Sequence, residues 1–125
     1  MARRICILDD DDAVRDSLRT LLESYSLDVD EFSSGRDLLA QSDLTDFGCF
    51  IVDFHMPEMN GLELLETLRA RGISAPAVIV SAVAIGSDAH NAAGGGAVQV
   101  LTKPVPEQEL IGWIRRALAG ETALS

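Results

Sequence analysis

Four stretches of this 125-residue chain end in residues that can do chemistry. Asp9-Asp10-Asp11-Asp12 follows one apolar run, Asp53 a second, Ser81 a third and Thr102-Lys103-Pro104 a fourth. Lys103 is the only lysine in the chain, and the other nine basic residues are arginines. Taken singly, each has a structural explanation: the acidic run is a helix-capping turn and Asp53 a loop acid. Taken together, they place carboxylates, a hydroxyl and an ammonium in one small pocket. Two like charges ~4 Å apart repel by about 4 kcal/mol at an effective dielectric near 20, so gathered carboxylates need compensation. A hard divalent cation supplies it, and all-oxygen ligands with room for water favour Mg²⁺ over Zn²⁺. A cation beside an aspartate suits phosphoryl transfer, with Lys103 and Ser81 holding the oxygens that the cation does not.

For these residues to meet, the runs before them must be neighbouring strands. Arg4 to Leu8 is a continuous apolar strand, as expected where both sheet faces are covered. Val14, Leu18, Leu21, Leu22 and Tyr25 recur at helical spacing. Leu27 to Phe32 reads as a second strand, whose Asp28, Asp30 and Glu31 suit a sheet edge. Ser34 caps a short helix carrying Leu38 and Leu39. Cys49 to Val52, Ala77 to Val80 and Val98 to Leu101 are the remaining strands. After the third strand, Pro57 and Asn60-Gly61 mark a loop. Asn60 caps a helix through Leu64, Leu65 and Leu68, and Gly72 ends it. A last helix runs from about Glu107 to Ala119, with Leu110, Ile114, Ala117 and Leu118 inward. Its Glu107 start and its Arg115-Arg116 end suit the helix dipole. Gly94, Gly95 and Gly96 each cost a helix about 1 kcal/mol relative to Ala, so a short, labile helix is expected over 86–96. The alternation predicts an α/β fold with a doubly wound parallel sheet. The functional crevice of such a sheet lies outside the carboxyl ends of its strands, where all four chemical groups fall.

The composition is that of one domain, long enough to bury roughly two-thirds of its unfolded surface. No apolar run approaches the ~20 residues of a membrane span, so no membrane contact is expected. The apolar run behind Met1-Ala2-Arg3-Arg4 is too short for a signal-peptide core, which makes a cytoplasmic location the expectation. A net charge of −10 repels phosphate backbones and argues against direct nucleic-acid binding. Cys6 and Cys49 sit in apolar runs and read as buried, reduced side chains, and Trp113 reads either as core or as part of a partner-facing surface. His55 and His90 are too far apart in sequence to suggest a metal or Ser/His/Asp site.

Four segments together carry a family resemblance: Ile7-Leu8-Asp9-Asp10-Asp11, Ile51-Val52-Asp53-Phe54-His55-Met56-Pro57-Glu58-Met59-Asn60-Gly61, Val80-Ser81-Ala82 and Lys103-Pro104. They resemble the receiver domain of response regulators, the CheY-like fold of two-component signal transduction. The likeness runs from about Arg3 to Ala119, with the acidic pair 44 residues before Asp53 and the lysine 50 after it. It implies a flavodoxin-like (CheY-like) five-stranded parallel sheet of order 2-1-3-4-5 flanked by five helices. Residues 1–120 would be the receiver and 121–125 a tail.

By position, the resemblance implies that Asp53 accepts a phosphoryl group from a phosphohistidine on a sensor histidine kinase or phosphotransfer protein. Asp9 and Asp10 would bind Mg²⁺ with Asp53 and the backbone carbonyl of His55. Ser81 takes the place of the switch hydroxyl. Lys103 would contact the acyl phosphate, beside a Lys103-Pro104 bond that is cis in many relatives. The protein would not be a conventional enzyme, though it would phosphorylate itself from phosphohistidine donors with Mg²⁺ and dephosphorylate itself. The added charge, about −1.5 to −2, would draw Ser81 inward and reshape the face of the fourth helix, fifth strand and last helix. That face would signal to a partner or effector domain, or support a homodimer. The chain would be either a stand-alone receiver or part of a longer regulator.

The pattern is not followed everywhere. Val100 stands where relatives usually carry a Tyr or Phe that swings with the switch hydroxyl, so output would rest on the 81–96 segment instead. Val105 stands where a Phe is common, which makes the output face less aromatic. His55 and Val83, each two residues past a site residue, occupy positions that tune hydrolysis in the family, and Val83 cannot orient a water. Two other readings compete: a receiver-shaped interaction module that is never phosphorylated, and a haloacid-dehalogenase-type phosphatase with its Asp-x-Asp at Asp10-Asp11-Asp12. The second lacks a cap insertion and a later acidic pair.

Overall fold

The computed structural model describes residues 4–41, 43–82 and 98–119. The helix expected over 86–96, with its glycine triplet, Val83, His90 and the 121–125 tail lie outside them. The elements are β1 (Arg4–Leu8), α1 (Asp12–Ser24), β2 (Val29–Phe32), α2 (Gly35–Leu39), β3 (Phe47–Asp53), α3 (Gly61–Ala70), β4 (Ala77–Ser81), β5 (Val98–Thr102) and α4 (Glu107–Leu118). The five strands form one sheet of order β2-β1-β3-β4-β5, and every paired strand runs parallel. This is the expected order, with acidic β2 at an edge.

Alternating residues of each strand feed two separate cores, as the period-two geometry of strands requires. Ile5, Ile7, Cys49, Ile51, Val78 and Val80 point to one face. There they pack under Leu22 of α1 and under Leu110, Ile111, Trp113 and Ile114 of α4. Cys6, Leu8, Phe50, Val52, Ala77 and Ile79 point to the other and meet Leu38 of α2 and Leu64, Leu65 and Leu68 of α3. Both cysteines are fully buried free thiols whose pKa values burial pushes up, and Trp113 is core. Ile111 is buried beside the inward residues expected of the last helix, whereas Leu118 is only half-buried.

One irregularity in the sheet matters for the site. Arg4 pairs with Phe47, but Ile5 pairs with Cys49, so Gly48 is an extra residue in β3. A one-residue slip exchanges the faces of a strand. With this one, Leu8 lies beside Val52, and the residues that follow them, Asp9 and Asp53, fall on the same face.

The helix ends follow local chemistry. Asp11 caps α1, its carboxylate accepting from the N–H groups of Ala13 and Val14. Ser34 caps α2. Asn60 and Glu63 form a reciprocal capping box at α3. Gly72 follows α3 at φ +84°, a left-handed backbone that suits glycine. Some boundaries differ from expectation. β2 starts at Val29 rather than Leu27, because the backbone after α1 turns through Ser26 at φ +63° before it can extend. β3, β4 and β5 reach Asp53, Ser81 and Thr102, so these polar residues are the last rungs of strands rather than the start of loops.

At Gly61 the first turn of α3 sits on the end of β3. A Cβ there would lie 2.7 Å from the Asp53 carbonyl oxygen and 3.1 Å from Phe54 Cα. Gly61→Ala is therefore expected to destabilise the protein by about 1–3 kcal/mol. Gly112→Ala, inside α4 with open space around it, is expected to stabilise by up to about 1 kcal/mol. Urea unfolding of both variants checks the contrast. Equal effects would show that the Gly61 contact does not constrain the end of β3.

Candidate functional site

Three strand ends carry the site. Asp9 is one residue past β1, Asp53 is the last residue of β3, and Lys103 is one residue past β5. Asp9 and Asp53 are 3% and 6% exposed, so neither carboxylate can turn away into solvent. The Lys103 ammonium lies 3.6 Å from Asp9 Oδ2 and 3.4 Å from Asp53 Oδ1. Asp10, exposed, joins them: Asp9, Asp10 and Asp53 each offer an oxygen, all within 4.8 Å of one another. Sequence reasoning expected this convergence, and the structure brings the four residues together.

Each group is held from more than one side. The Asp9 N–H donates to the Phe32 carbonyl at 3.3 Å, and its Oδ1 accepts from the Asp11 N–H at 2.9 Å. Asp53 is followed by Phe54, whose N–H donates to the Val80 carbonyl at 2.8 Å and whose carbonyl accepts from Gly61 at 2.9 Å. The Lys103 N–H donates to the Ser81 carbonyl at 2.7 Å, and the Lys103-Pro104 peptide is cis. Ser81 is fully buried at the end of β4, one residue past Val80, the register partner of Asp53. His55 is exposed, and its ring stands edge-on to Phe54 at 4.9 Å.

The acidic run divides its labour. Asp11 caps α1, as the structural explanation of the run predicts, and Asp12 lies in the first turn. Asp9 and Asp10 face the site. This leaves no Asp10-x-Asp12 pair for the phosphatase reading, since Asp12 pairs with Arg15. Sequence reasoning missed Arg15 itself: its Nη1 donates to the Asp9 carbonyl at 2.6 Å. It also missed Glu58 at φ +70° in the loop after β3. A third feature it missed is an apolar cavity of about 360 Å³ that opens beside the acids. Val14 and Leu18 of α1, together with Val105 and Leu110, wall this cavity, and Asp9, Asp53 and Lys103 stand at its edge.

Among the described residues the charges do not balance: three carboxylates face one ammonium. Burial pushes the Asp9 carboxyl above the usual carboxylate range. The Asp11 N–H opposes this, Asp53 adds to it, and Lys103 opposes it again. The donor set is all oxygen, with two buried acids and one exposed to solvent, which fits a hard divalent cation that keeps part of its water.

The chain matches the response regulator receiver domain family over residues 5–115. It is 41% identical over 114 residues to the response regulator protein TodT of Pseudomonas putida, an overlap of 91% of this chain and 50% of TodT. Response regulator StyR superposes with a TM-score of 0.85 at 32% identity, over 97% of this chain and 61% of that one. A CheY-like receiver domain protein from Methanospirillum hungatei JF-1 superposes over the full length of both chains, with a TM-score of 0.84 and 28% identity. This chain thus spans about half the length of TodT.

The raised Asp9 carboxyl sets a sign for stability. The folded state holds the Asp9 proton more tightly than the unfolded chain, so ionising Asp9 works against folding. That loss begins as pH rises past the ordinary value of 3.8 and is complete above the folded-state value. In metal-free protein at pH 7, Asp9→Asn is expected to melt above wild type, with the gain fading below about pH 4. Added Mg²⁺ should raise the melting temperature of wild type and not of the variant. A metal-free wild type more stable than Asp9→Asn at pH 7 would contradict this account.

Proposed function

This chain belongs to the response regulator receiver domain family, and on that footing we propose that Asp53 accepts a phosphoryl group from a phosphohistidine of a sensor kinase or phosphotransfer protein. The observation that carries this reading is the Lys103 ammonium set between the buried carboxylates of Asp9 and Asp53.

The Asp53 carboxylate is the nucleophile. One of its oxygens forms a bond to phosphorus as the phosphorus–nitrogen bond to the donor imidazole breaks, and the imidazole leaves with the bonding pair. Asp9, Asp10 and Asp53 would hold Mg²⁺, with the backbone carbonyl of His55 as a further ligand. When bound, Mg²⁺ supplies neutralisation of charge on the transferring phosphoryl oxygens. Lys103 holds another of those oxygens, released from its pairing with Asp53 as that carboxylate becomes an ester. Ser81 donates its hydroxyl to the new group, the two-state step by which a local charge alters the surface. The cavity beside Asp53, lined by Val14, Leu18 and Val105, suits the approach of an apolar donor surface.

Val100 packs against the α2–α3 core and has no ring to swing, so output does not pass through an aromatic switch at that position. The altered surface is the β5–α4 face, read by an effector domain, an output protein or a second copy of the chain. The receiver lies within residues 1–120 and acts in the cytoplasm; among the described residues no helix is long and apolar enough to cross a membrane.

Incubation with acetyl phosphate and Mg²⁺, read by intact mass, tests the proposal. Wild type is expected to gain one phosphoryl group, and Asp53→Asn none. A wild type that stays unmodified would leave an interaction module as the surviving reading. In the same assay His55→Ala is expected to change the decay rate of the phosphorylated protein while Mg²⁺ affinity stays the same. Equal decay rates would remove His55 from the hydrolysis step.

A further inference from the structure

Arg15 connects three segments: the turn after β1, the first turn of α1 and the edge strand β2. Its Nη1 donates to the main-chain carbonyl of Asp9 at 2.6 Å, beyond the last rung of β1. Its Nη2 donates to the Asp12 carboxylate in the first turn of α1. Its Nε donates to Glu31 Oε1 on the edge strand at 3.2 Å, and Arg19 Nη1 donates to the other oxygen of Glu31 at 2.6 Å. The Arg15 side chain is only 12% exposed, so its bonds to Asp9 and Glu31 are partly sheltered, while the Asp12 carboxylate is open to solvent. A planar guanidinium can serve three acceptors at fixed angles, which the single ammonium of lysine cannot do.

The loop that Arg15 grips is the one that needs gripping. Four consecutive aspartates repel one another, and the carbonyl of Asp9 lies where the sheet has ended. We propose that Arg15 is a positioning residue: by tying the Asp9 carbonyl to β2 through Glu31, it holds the Asp9–Asp10 carboxylates at the spacing a divalent cation needs. The inference rests on the proposed cation site and assigns Arg15 no contact with the ion or the phosphoryl group. Partners outside the ligand shell typically account for 10–100-fold in metal affinity.

Charge alone predicts the opposite sign. Removing a cation beside an acidic site should tighten binding of a divalent ion, whereas removing a positioning group should weaken it. The test is a titration with Mn²⁺ at high ionic strength, with free Mn²⁺ read by electron paramagnetic resonance, which needs no phosphorylation. Arg15→Gln is expected to weaken binding about tenfold, and Arg15→Lys to recover only part of the loss. Arg19→Gln removes the same charge and the other Glu31 contact but does not touch Asp9, so its affinity should equal or exceed that of wild type. If Arg15→Gln does not fold, Arg15→Lys decides, since it keeps the charge: weaker binding than wild type supports the role, and wild-type binding overturns it. Undiminished affinity in Arg15→Gln, or equal weakening in Arg15→Gln and Arg19→Gln, also overturns it. A wild type that takes up no Mn²⁺ would bring down the proposed function and this inference with it. Loss of the positioning role alone shows as wild-type binding that Arg15→Gln leaves intact.

Discussion

Two buried carboxylates held against each other, with one ammonium between them, is the constraint around which this molecule is arranged. Asp9 and Asp53 would relieve their repulsion by rotating into water if they stood on a loop. They stand instead at the ends of adjacent parallel strands, almost fully buried, on the same side of the sheet. Their closeness is a property of the register, and the register is secured by two hydrophobic cores. Shifting β3 by one residue would bury Val52 where Asp53 stands, at the expense of every alternating contact along the strand. The surplus negative charge is therefore built in by the same burial that makes the sheet stable. Lys103 offsets only part of it.

The surroundings extend this logic. Each acid is tied down by its neighbours: the Asp9 backbone by Phe32 and Arg15 and its carboxylate by the Asp11 N–H, and Asp53 through the Phe54 backbone by Val80 and Gly61. Acids fixed in this way lose little further freedom when a cation or phosphoryl group arrives, so more of the electrostatic attraction is available to bind it. Preorganisation has a cost in the metal-free state, visible in the raised Asp9 carboxyl. On the proposed function, the stability of this site would report on cation occupancy.

Much of this was legible in the residues. The strand runs, the caps at Ser34 and Asn60, the stop at Gly72 and the edge character of β2 all follow from local rules, because each depends on residues within a turn of one another. The meeting of Asp9, Asp10, Asp53 and Lys103 was legible because a parallel sheet collects its strand ends on one side. What was not legible depends on register or on long side chains. The extra residue at Gly48 leaves no mark in the hydrophobic pattern, since Phe47, Gly48, Cys49 and Phe50 are all buried. Arg15 looks like any charged residue on an amphipathic helix; only the path of the chain back through Glu31 makes it a clamp. Glu58 at φ +70° has no glycine or asparagine to announce it.

The bias of nine arginines to one lysine also makes sense within this scheme. Arg4 pairs with Asp30 through two nitrogens, Arg15 serves Asp9, Asp12 and Glu31, and Arg69 donates to the carbonyls of Ile73 and Ala75. At Arg4 and Arg15 several nitrogens of one planar fork fix two or three acceptor oxygens at once, while at Arg69 a single Nη1 serves both carbonyls. The task at the strand ends is different. There the cation lies between two carboxylates, and on the proposed function it then turns to a group that adds its own oxygens. A compact ammonium on a flexible stem can shift from one acceptor to another within the same space, where a guanidinium would fix one partner and crowd out the next. The one lysine of the chain stands where the proposed phosphorylation would change the pairing.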